Sequence, residues 1–123
     1  MPVLEVVLHG DPIPKGRPRT ANGVTYTPPR TRQAEKAVKA VVATKMLGQG
    51  PVESPLGIAV EFFCATRRRT DGDNLLKLIT DAMNGIVYAD DAQIEEWFCR
   101  VHRGVGKETA RTEILVYELP PGE

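Results

Sequence analysis

Two pairs of aspartates with a lysine between them are the residues of this sequence best suited to chemistry. Asp71 and Asp73 lie where a polar connector leads into a predicted helix, and Asp90 and Asp91 follow that helix and a short apolar segment. Lys77 comes four residues after Asp73, which makes the two neighbours on a helix surface. Carboxylate oxygens bind hard divalent cations, and such a cation polarises phosphoryl oxygens and activates water. The stretch therefore predicts a metal site for phosphoryl chemistry, with Lys77 stabilising the developing negative charge.

The same residues also have ordinary structural interpretations. Asp73 could cap the helix, Asp73 and Lys77 could form a surface ion pair, and Asp90 and Asp91 could be turn residues. Asp81 is expected to be a solvated helix residue. Spacing alone leaves these alternatives open. The sequence contains neither an EF-hand loop nor a glycine-rich phosphate loop, so we expect no nucleotide cofactor.

Basic residues are concentrated ahead of the acidic stretch. Residues 1–69 hold 11 basic and 5 acidic residues, residues 70–123 hold 5 basic and 11 acidic residues, and the formal net charge is zero. Such asymmetry suggests a basic surface for a polyanion next to an acidic cluster that a metal ion would neutralise. The basic candidates are Lys15, Arg17 and Arg19 in a proline-rich loop and Arg67, Arg68 and Arg69 just before Asp71.

Hydrophobic periodicity predicts an α+β fold, a small mixed sheet with two helices packed on it. Strands are predicted at Val3–His9, Leu56–Cys64, Ile94–His102 and Thr112–Leu119, with a shorter apolar strand at Ile86–Ala89. One helix is predicted to follow Thr31 as its N-cap and to end near Gly48, and the other to begin at Asn74.

Two connections between these elements carry turn signals. Asn22-Gly23 is predicted to form the corner of a small hairpin, because both residues tolerate positive φ. Arg103–Arg111 contains two glycines and is predicted to join the last two strands as a second hairpin.

Length and composition predict one domain over residues 1–123. Cys64 and Cys99 lie in apolar strand segments and are expected to be reduced and buried, and Trp97 is expected in the core. No run is apolar and long enough to span a membrane, and no export signal is visible, which predicts a cytoplasmic protein.

The acidic stretch as a whole resembles the RusA family of Holliday junction resolvases, small endodeoxyribonucleases of bacteria, phages and prophages. The resemblance rests on Asp71-x-Asp73-Asn74-Leu75-x-Lys77, Asp81-Ala82, Asn84-Gly85 and Asp90-Asp91-x-Gln93. The segment Gly10-x-Pro12-x-Pro14-Lys15-Gly16-Arg17-Pro18-Arg19 is similar to the opening of that family, so the resemblance runs from about residue 3 to 118.

The resemblance implies a RusA-like fold in an intertwined homodimer that binds four-way DNA junctions. It also implies paired nicks in DNA recombination and repair, dependent on Mg²⁺, with Mn²⁺ as a possible substitute. By position, Asp71, Asp73 and Asp91 match the catalytic, metal-binding aspartates and Lys77 matches the essential lysine. Asp90 is expected to be a further metal ligand.

The basic candidates acquire a role through the same resemblance. Lys15, Arg17, Arg19, Arg67, Arg68 and Arg69 would contact DNA. Two other functions use overlapping residues: a module that binds branched DNA without cutting it, and a broader nuclease that acts on flaps or forks. The dimer interface is expected near Trp97–Val101 or Ile114–Tyr117.

Overall fold

A four-stranded mixed sheet with two helices carries the fold. The computed structural model describes residues 2–120. In chain order its elements are β1 (Pro2–His9), β2 (Arg19–Ala21), β3 (Val24–Tyr26), α1 (Pro29–Lys45), β4 (Leu56–Cys64), α2 (Gly72–Met83), a 3-10 turn (Asp91–Gln93), β5 (Ile94–Arg103) and β6 (Arg111–Glu118). The predicted α+β class, with a small mixed sheet and two helices, is confirmed.

The strands of the four-stranded sheet lie in the order β1-β6-β4-β5. β6 is antiparallel to both β1 and β4, and β5 is parallel to β4, with α2 in the crossover between them. The predicted hairpin across Arg103–Arg111 is therefore wrong, since β4 separates β5 from β6. The glycines of that segment instead bind the connector after β4, where the N–H of Gly104 donates to the carbonyl of Thr66 at 3.0 Å.

The core lies between the helices and one face of the sheet. Alternate residues of β4, including Ile58, Val60 and Phe62, are almost completely buried. They share a cluster with α2 residues such as Leu75 and Ile79, which form the apolar stripe of that helix. Full burial of a side chain of this size contributes about 1.5–3 kcal/mol, so the sheet and α2 form one stable support.

α1 begins three residues earlier than predicted, and Thr31 is not its cap. Pro29 occupies the first helical position, where its fixed φ and missing N–H cost nothing. Thr31 is buried inside the first turn, and its hydroxyl accepts a hydrogen bond from the N–H of Gly16 at 2.8 Å. The threonine therefore ties the proline-rich loop to α1.

β5 is an edge strand, and most of it is exposed. Trp97 is 49% exposed and Phe98 is 51% exposed, so the prediction of a core tryptophan is wrong. Trp97 is level with buried Ile58 and thus lies on the helix-bearing face, but its side chain is not covered. Cys64 is buried as predicted, whereas Cys99 on β5 is exposed, and both thiols are free.

Two smaller predictions had opposite outcomes. The small hairpin is confirmed: β2 pairs with β3 around Asn22 (φ 52°) and Gly23 (φ 76°). The predicted strand at Ile86–Ala89 is wrong, because Tyr88 makes only isolated bridges there. Tyr88 is instead a fully buried core residue whose hydroxyl donates to the carbonyl of Thr80 at 2.6 Å.

Candidate active site

The first aspartate pair lies at the start of α2. This helix begins at Gly72 rather than Asn74, and Asp71 is its N-cap. The Asp71 Oδ1 atom accepts a hydrogen bond from the N–H of Asp73 at 3.0 Å, which satisfies one of the free donors of the first turn. Capping is therefore the work of Asp71, and the exposed side chain of Asp73 is left free for a ligand.

The second aspartate pair is held by a capping box. Asp90 Oδ1 accepts from the N–H of Ala92 at 3.0 Å, and Gln93 Oε1 accepts from the N–H of Asp90 at 2.8 Å. Gln93 also donates through Nε2 to the carbonyls of Val52 and Ser54, at 2.8 and 3.0 Å. The turn is thereby fixed to the segment before β4, and Asp91 is held half-buried within it.

Asp91 lies close enough to α2 for the charged side chains of Asp81 and Lys77 to affect its pKa. Partial burial and the carboxylates of Asp90 and Asp81 raise the pKa of Asp91, and the Lys77 ammonium opposes them. Lys77 Nζ is 3.7 Å from Asp81 Oδ2, one turn further along the helix. The structure thus brings Asp91, Lys77 and Asp81 into one neighbourhood.

Asp81 belongs to an ion cluster, so the prediction of a solvated residue is wrong. Its side chain is 22% exposed and pairs with the Nζ of Lys15 as well as with Lys77. Lys15 Nζ is also 3.0 Å from Glu35 Oε1 on α1, and the Lys15 N–H donates to the carbonyl of Asn74 at 2.9 Å. Although burial alone would lower the pKa of Lys15, its hydrogen bonds to Asp81 and Glu35 raise that pKa overall.

The carboxylates form a row that follows α2 from its first turn to the 3-10 turn. Near the start of this row, partial burial and the neighbouring Asp73 carboxylate raise the pKa of the Cys99 thiol on β5. Asp81 lies further along α2, past Lys77, and Asp91 on the 3-10 turn lies near both of them. We call the row of Asp71, Asp73, Lys77 and Asp91 the acidic edge.

The acidic edge has suitable oxygen donors for a divalent cation but does not provide a complete set of metal ligands. Within residues 2–120, no three His, Cys, Asp or Glu side chains are close enough together to hold a metal ion. The donors are hard carboxylate oxygens, as Mg²⁺ and Mn²⁺ prefer, and Mg²⁺ commonly keeps waters and substrate phosphates as its other ligands. A cation would also relieve the repulsion that raises the pKa of Asp91. The residues therefore fit a metal that binds together with a phosphate.

The predicted basic residues fall into two environments. Arg17, Arg19, Arg67, Arg68 and Arg69 are exposed, whereas Lys15 is half-buried in the ion cluster. Arg17 and Arg19 belong to the small hairpin and the chain leading into it, whose strands are exposed throughout. The structure therefore separates Lys15 from the other five.

Arg103 is a functional residue that was not predicted from the sequence. Its guanidinium donates to the carbonyls of Arg68 and Thr70, at 2.9 and 2.8 Å. These bonds fix the connector that leads into Asp71, so Arg103 positions the acidic edge without being part of it. Its place just after a predicted strand was the only available signal.

Comparison with protein families agrees with this geometry. A model of the RusA family, described as endodeoxyribonuclease RusA, matches residues 9–117. The chain belongs to the RusA family of endodeoxyribonucleases, enzymes that hydrolyse phosphodiester bonds and resolve Holliday junctions. Nucleases of this type generally depend on a divalent metal and bind branched DNA.

No curated protein sequence matches the chain at a significant level. In the part of the chain that the structure describes, no helix is both long and apolar enough to cross a membrane.

Proposed function

We propose that this protein nicks four-way DNA junctions in pairs, with Mg²⁺ at the acidic edge of each protomer of a homodimer. The observation that carries the proposal is the row of carboxylates with Lys77 among them, beside a connector of exposed arginines. A phosphodiester would be repelled by bare carboxylates, so the row makes chemical sense when a cation lies between it and the DNA.

Each residue of the acidic edge has a proposed role. Asp73 and Asp91 would move together around the cation when it binds with a phosphate, since no three carboxylates are close enough to hold it among the described residues alone. Asp71 would contribute the oxygen that does not cap α2. One carboxylate oxygen of Asp90 accepts a hydrogen bond within the 3-10 turn, so Asp90 would be an auxiliary ligand that mainly orients Asp91. The bound cation would supply a polarised phosphoryl oxygen and a more acidic water.

Lys77 is proposed to stabilise charge in the transition state. Its side chain is 60% exposed, so its ammonium can reach a DNA phosphate beside Asp91. Asp81 holds Lys77 at 3.7 Å and is itself anchored by Lys15. Lys15 then positions the lysine rather than contacting DNA directly.

The homodimer is proposed to use the exposed edge of β5. An edge strand leaves backbone groups unpaired, and Trp97 and Phe98 add large exposed apolar surface there. Of the two expected interfaces, Ile114–Tyr117 is the poorer, because β6 is an internal strand with Ile114 and Val116 in the core. A two-fold dimer presents two equivalent sites to the equivalent strands of a junction.

The test is nicking of a synthetic four-way junction with Mg²⁺, with Mn²⁺ and with EDTA, beside linear duplex and flap substrates. Symmetric nicks that require metal and are confined to the junction are the expected result. Equal cutting of flaps would indicate a broader nuclease, and binding without nicks under every metal would indicate a non-catalytic module.

Substitutions assign the chemistry to the acidic edge. Asp73→Asn and Asp91→Asn are expected to abolish nicking while folding and junction binding persist, and Lys77→Met to slow it about 10²- to 10³-fold. Glu5→Gln, which removes an exposed carboxylate from β1 at the opposite edge of the sheet from β5, is the matched control. Full activity of either aspartate variant would contradict the assignment.

A further inference from the structure

A small polar cavity lies beside the acidic edge. Its volume is about 160 Å³, and the proline-rich loop, the start of α1 and the connector after β4 enclose it. Three arginines line it: Arg30 from α1, and Arg68 and Arg69 from the connector. Because these come from segments far apart in the sequence, the cavity is a product of the fold and not of one basic run.

Within the described part of the chain, the three arginines have no acidic ion-pair partner. Among residues 2–120, the ion pairs involve other side chains, and the guanidiniums of Arg30, Arg68 and Arg69 make no side-chain hydrogen bond. The first turn of α1 also contains no acidic residue that would neutralise Arg30. Three like charges around one cavity repel each other unless an anion joins them.

Asp11 is the acidic residue in the lining, and it has a structural role. Its Oδ1 atom accepts a hydrogen bond from the N–H of Ala65 at 2.9 Å, which closes the floor where the loop meets the connector. With three arginines against one aspartate, the cavity remains positive.

Hydrogen bonds from Arg103 and Gly104 fix the connector that forms one wall of the cavity. Arg103 binds the carbonyls of Arg68 and Thr70, and the N–H of Gly104 donates to the carbonyl of Thr66. A connector fixed at three carbonyls presents its side chains with little loss of backbone entropy on binding. Arg67 does not line the cavity and lies against Gly104.

We propose that this cavity, the arginine pocket, binds one phosphate of the DNA backbone next to the phosphate that is cut. Guanidinium groups match phosphate oxygens in charge and in hydrogen-bond geometry. Thr70 of the lining directly precedes Asp71, so a phosphate in the pocket lies beside the acidic edge and fixes the register of the strand there. The identity of the phosphate as DNA rests on the proposed function.

The pocket can be tested without DNA. ¹⁵N-labelled full-length protein is titrated with inorganic phosphate at constant ionic strength, and amide shifts are followed by NMR. We expect shifts concentrated on residues 65–70 and around Asp11 and Arg30, and their loss in Arg30→Gln and Arg69→Gln. Arg32→Gln, an exposed arginine of the same helix outside the lining, should keep them. Shifts that are absent, or spread evenly over all basic surfaces, would overturn the pocket.

A second arm separates DNA phosphate from free phosphate. Arg30→Gln and Arg69→Gln should each weaken binding to a four-way junction about tenfold to a hundredfold, the range for one charge-assisted hydrogen bond. Because both would hold the same phosphate, the double variant should lose less than the product of the two effects. In the double variant, the slope of log Kd against the logarithm of salt concentration should be smaller by about one, as expected for the loss of one phosphate contact.

The outcomes distinguish this inference from the proposed function. Phosphate shifts with unchanged junction affinity in the variants would overturn the assignment to DNA while leaving junction cleavage intact. Phosphate shifts in a wild-type protein that neither binds nor nicks junctions would instead contradict the proposed function, and with it the DNA assignment.

Discussion

At the residue scale, Lys15 has a different role in the structure from the DNA contact that the sequence predicted. Lys15 belongs to a basic loop segment, and its neighbours Arg17 and Arg19 are exposed as a DNA contact requires. Lys15 itself is directed inward, where it joins the loop to α1 through Glu35 and to α2 through Asp81. Charge on its own does not reveal such a role, since only the fold decides which cations face solvent.

Replacing Lys15 should therefore cost stability before it costs DNA affinity. In Lys15→Met, Glu35 Oε1 stays buried with no other hydrogen-bond partner in the described chain, and Asp81 keeps only Lys77. We expect a loss of about 1–3 kcal/mol in the free energy of unfolding, measured with urea. Lys36→Met, an exposed lysine on α1, is the control.

Adding Glu35→Gln to that variant should recover part of the loss, because a buried neutral amide costs less than a buried unpaired carboxylate. Unchanged stability of Lys15→Met together with weaker junction binding would restore Lys15 to the DNA surface.

The acidic residues were predictable by type but not by role. Both aspartate pairs were expected at a helix start and after an apolar segment, and they lie there. Sequence did not reveal that Asp71 rather than Asp73 caps α2, since the helix starts two residues earlier than the apolar stripe indicated. Nor did it reveal the burial of Asp81, which depends on Lys15, 66 positions earlier in the chain.

At the element scale, the proline-rich loop is fixed to the helices by close contacts. Gly16 donates its N–H to the Thr31 hydroxyl at 2.8 Å, and a Cβ atom on Gly16 would lie 2.8 Å from that same oxygen. Only glycine allows the loop to approach α1 this closely. The loop in turn carries Lys15 into the ion cluster.

Gly16→Ala should loosen this attachment. The added methyl group displaces Thr31 and weakens its hydrogen bond, so we expect a loss of about 1–3 kcal/mol in the free energy of unfolding. Limited proteolysis should also cut within residues 10–28 faster than in the wild type. Gly50→Ala is the matched control, because a Cβ there meets nothing within 4 Å. Equal protease resistance in both variants would show that the contact is not important.

Elements were predicted better than their boundaries and partners. β4 has the predicted limits of Leu56–Cys64, because its apolar run is bounded by turn residues. The start of α1 was misplaced because threonine often caps helices. The helix instead begins at Pro29, whose fixed φ suits the first helical position and which has no N–H that needs a partner. The glycines after Arg103 resemble a hairpin turn, but they serve the contact with the connector.

At the scale of the whole molecule, the uncovered strand β5 is the feature that predicts assembly. Trp97→Asp places a charge on the exposed strand β5 and should dissociate the proposed dimer, as sedimentation would detect. Leu47→Asp is the control, because Leu47 is 78% exposed at the far end of α1. The free thiol of Cys99 gives a second readout: maleimide should label it faster in Trp97→Asp than in the wild type.

A wild type that sediments as a monomer at all concentrations would contradict the dimer. A dimer that survives Trp97→Asp would move the interface away from β5.

Strand order was beyond prediction because it depends on pairings between distant segments. Hydrophobic alternation indicates which residues face the core, but it does not distinguish β5 beside β4 from β5 beside β6. The exposure of Trp97 follows from that choice, since an aromatic residue on an edge strand has neighbours on one side only.

The position of β6 between β1 and β4 has a consequence for biosynthesis. Among residues 2–120, β1 pairs only with β6, so the first strand of the sheet has no partner until the ribosome has added roughly a hundred more residues. Until then β1 has no place in the sheet, and the proline-rich loop that follows it lacks its anchor at Ala110. A nascent chain that stops short of residue 111 thus lacks the complete sheet behind its acidic edge, so we expect DNA cutting only after translation has passed that point.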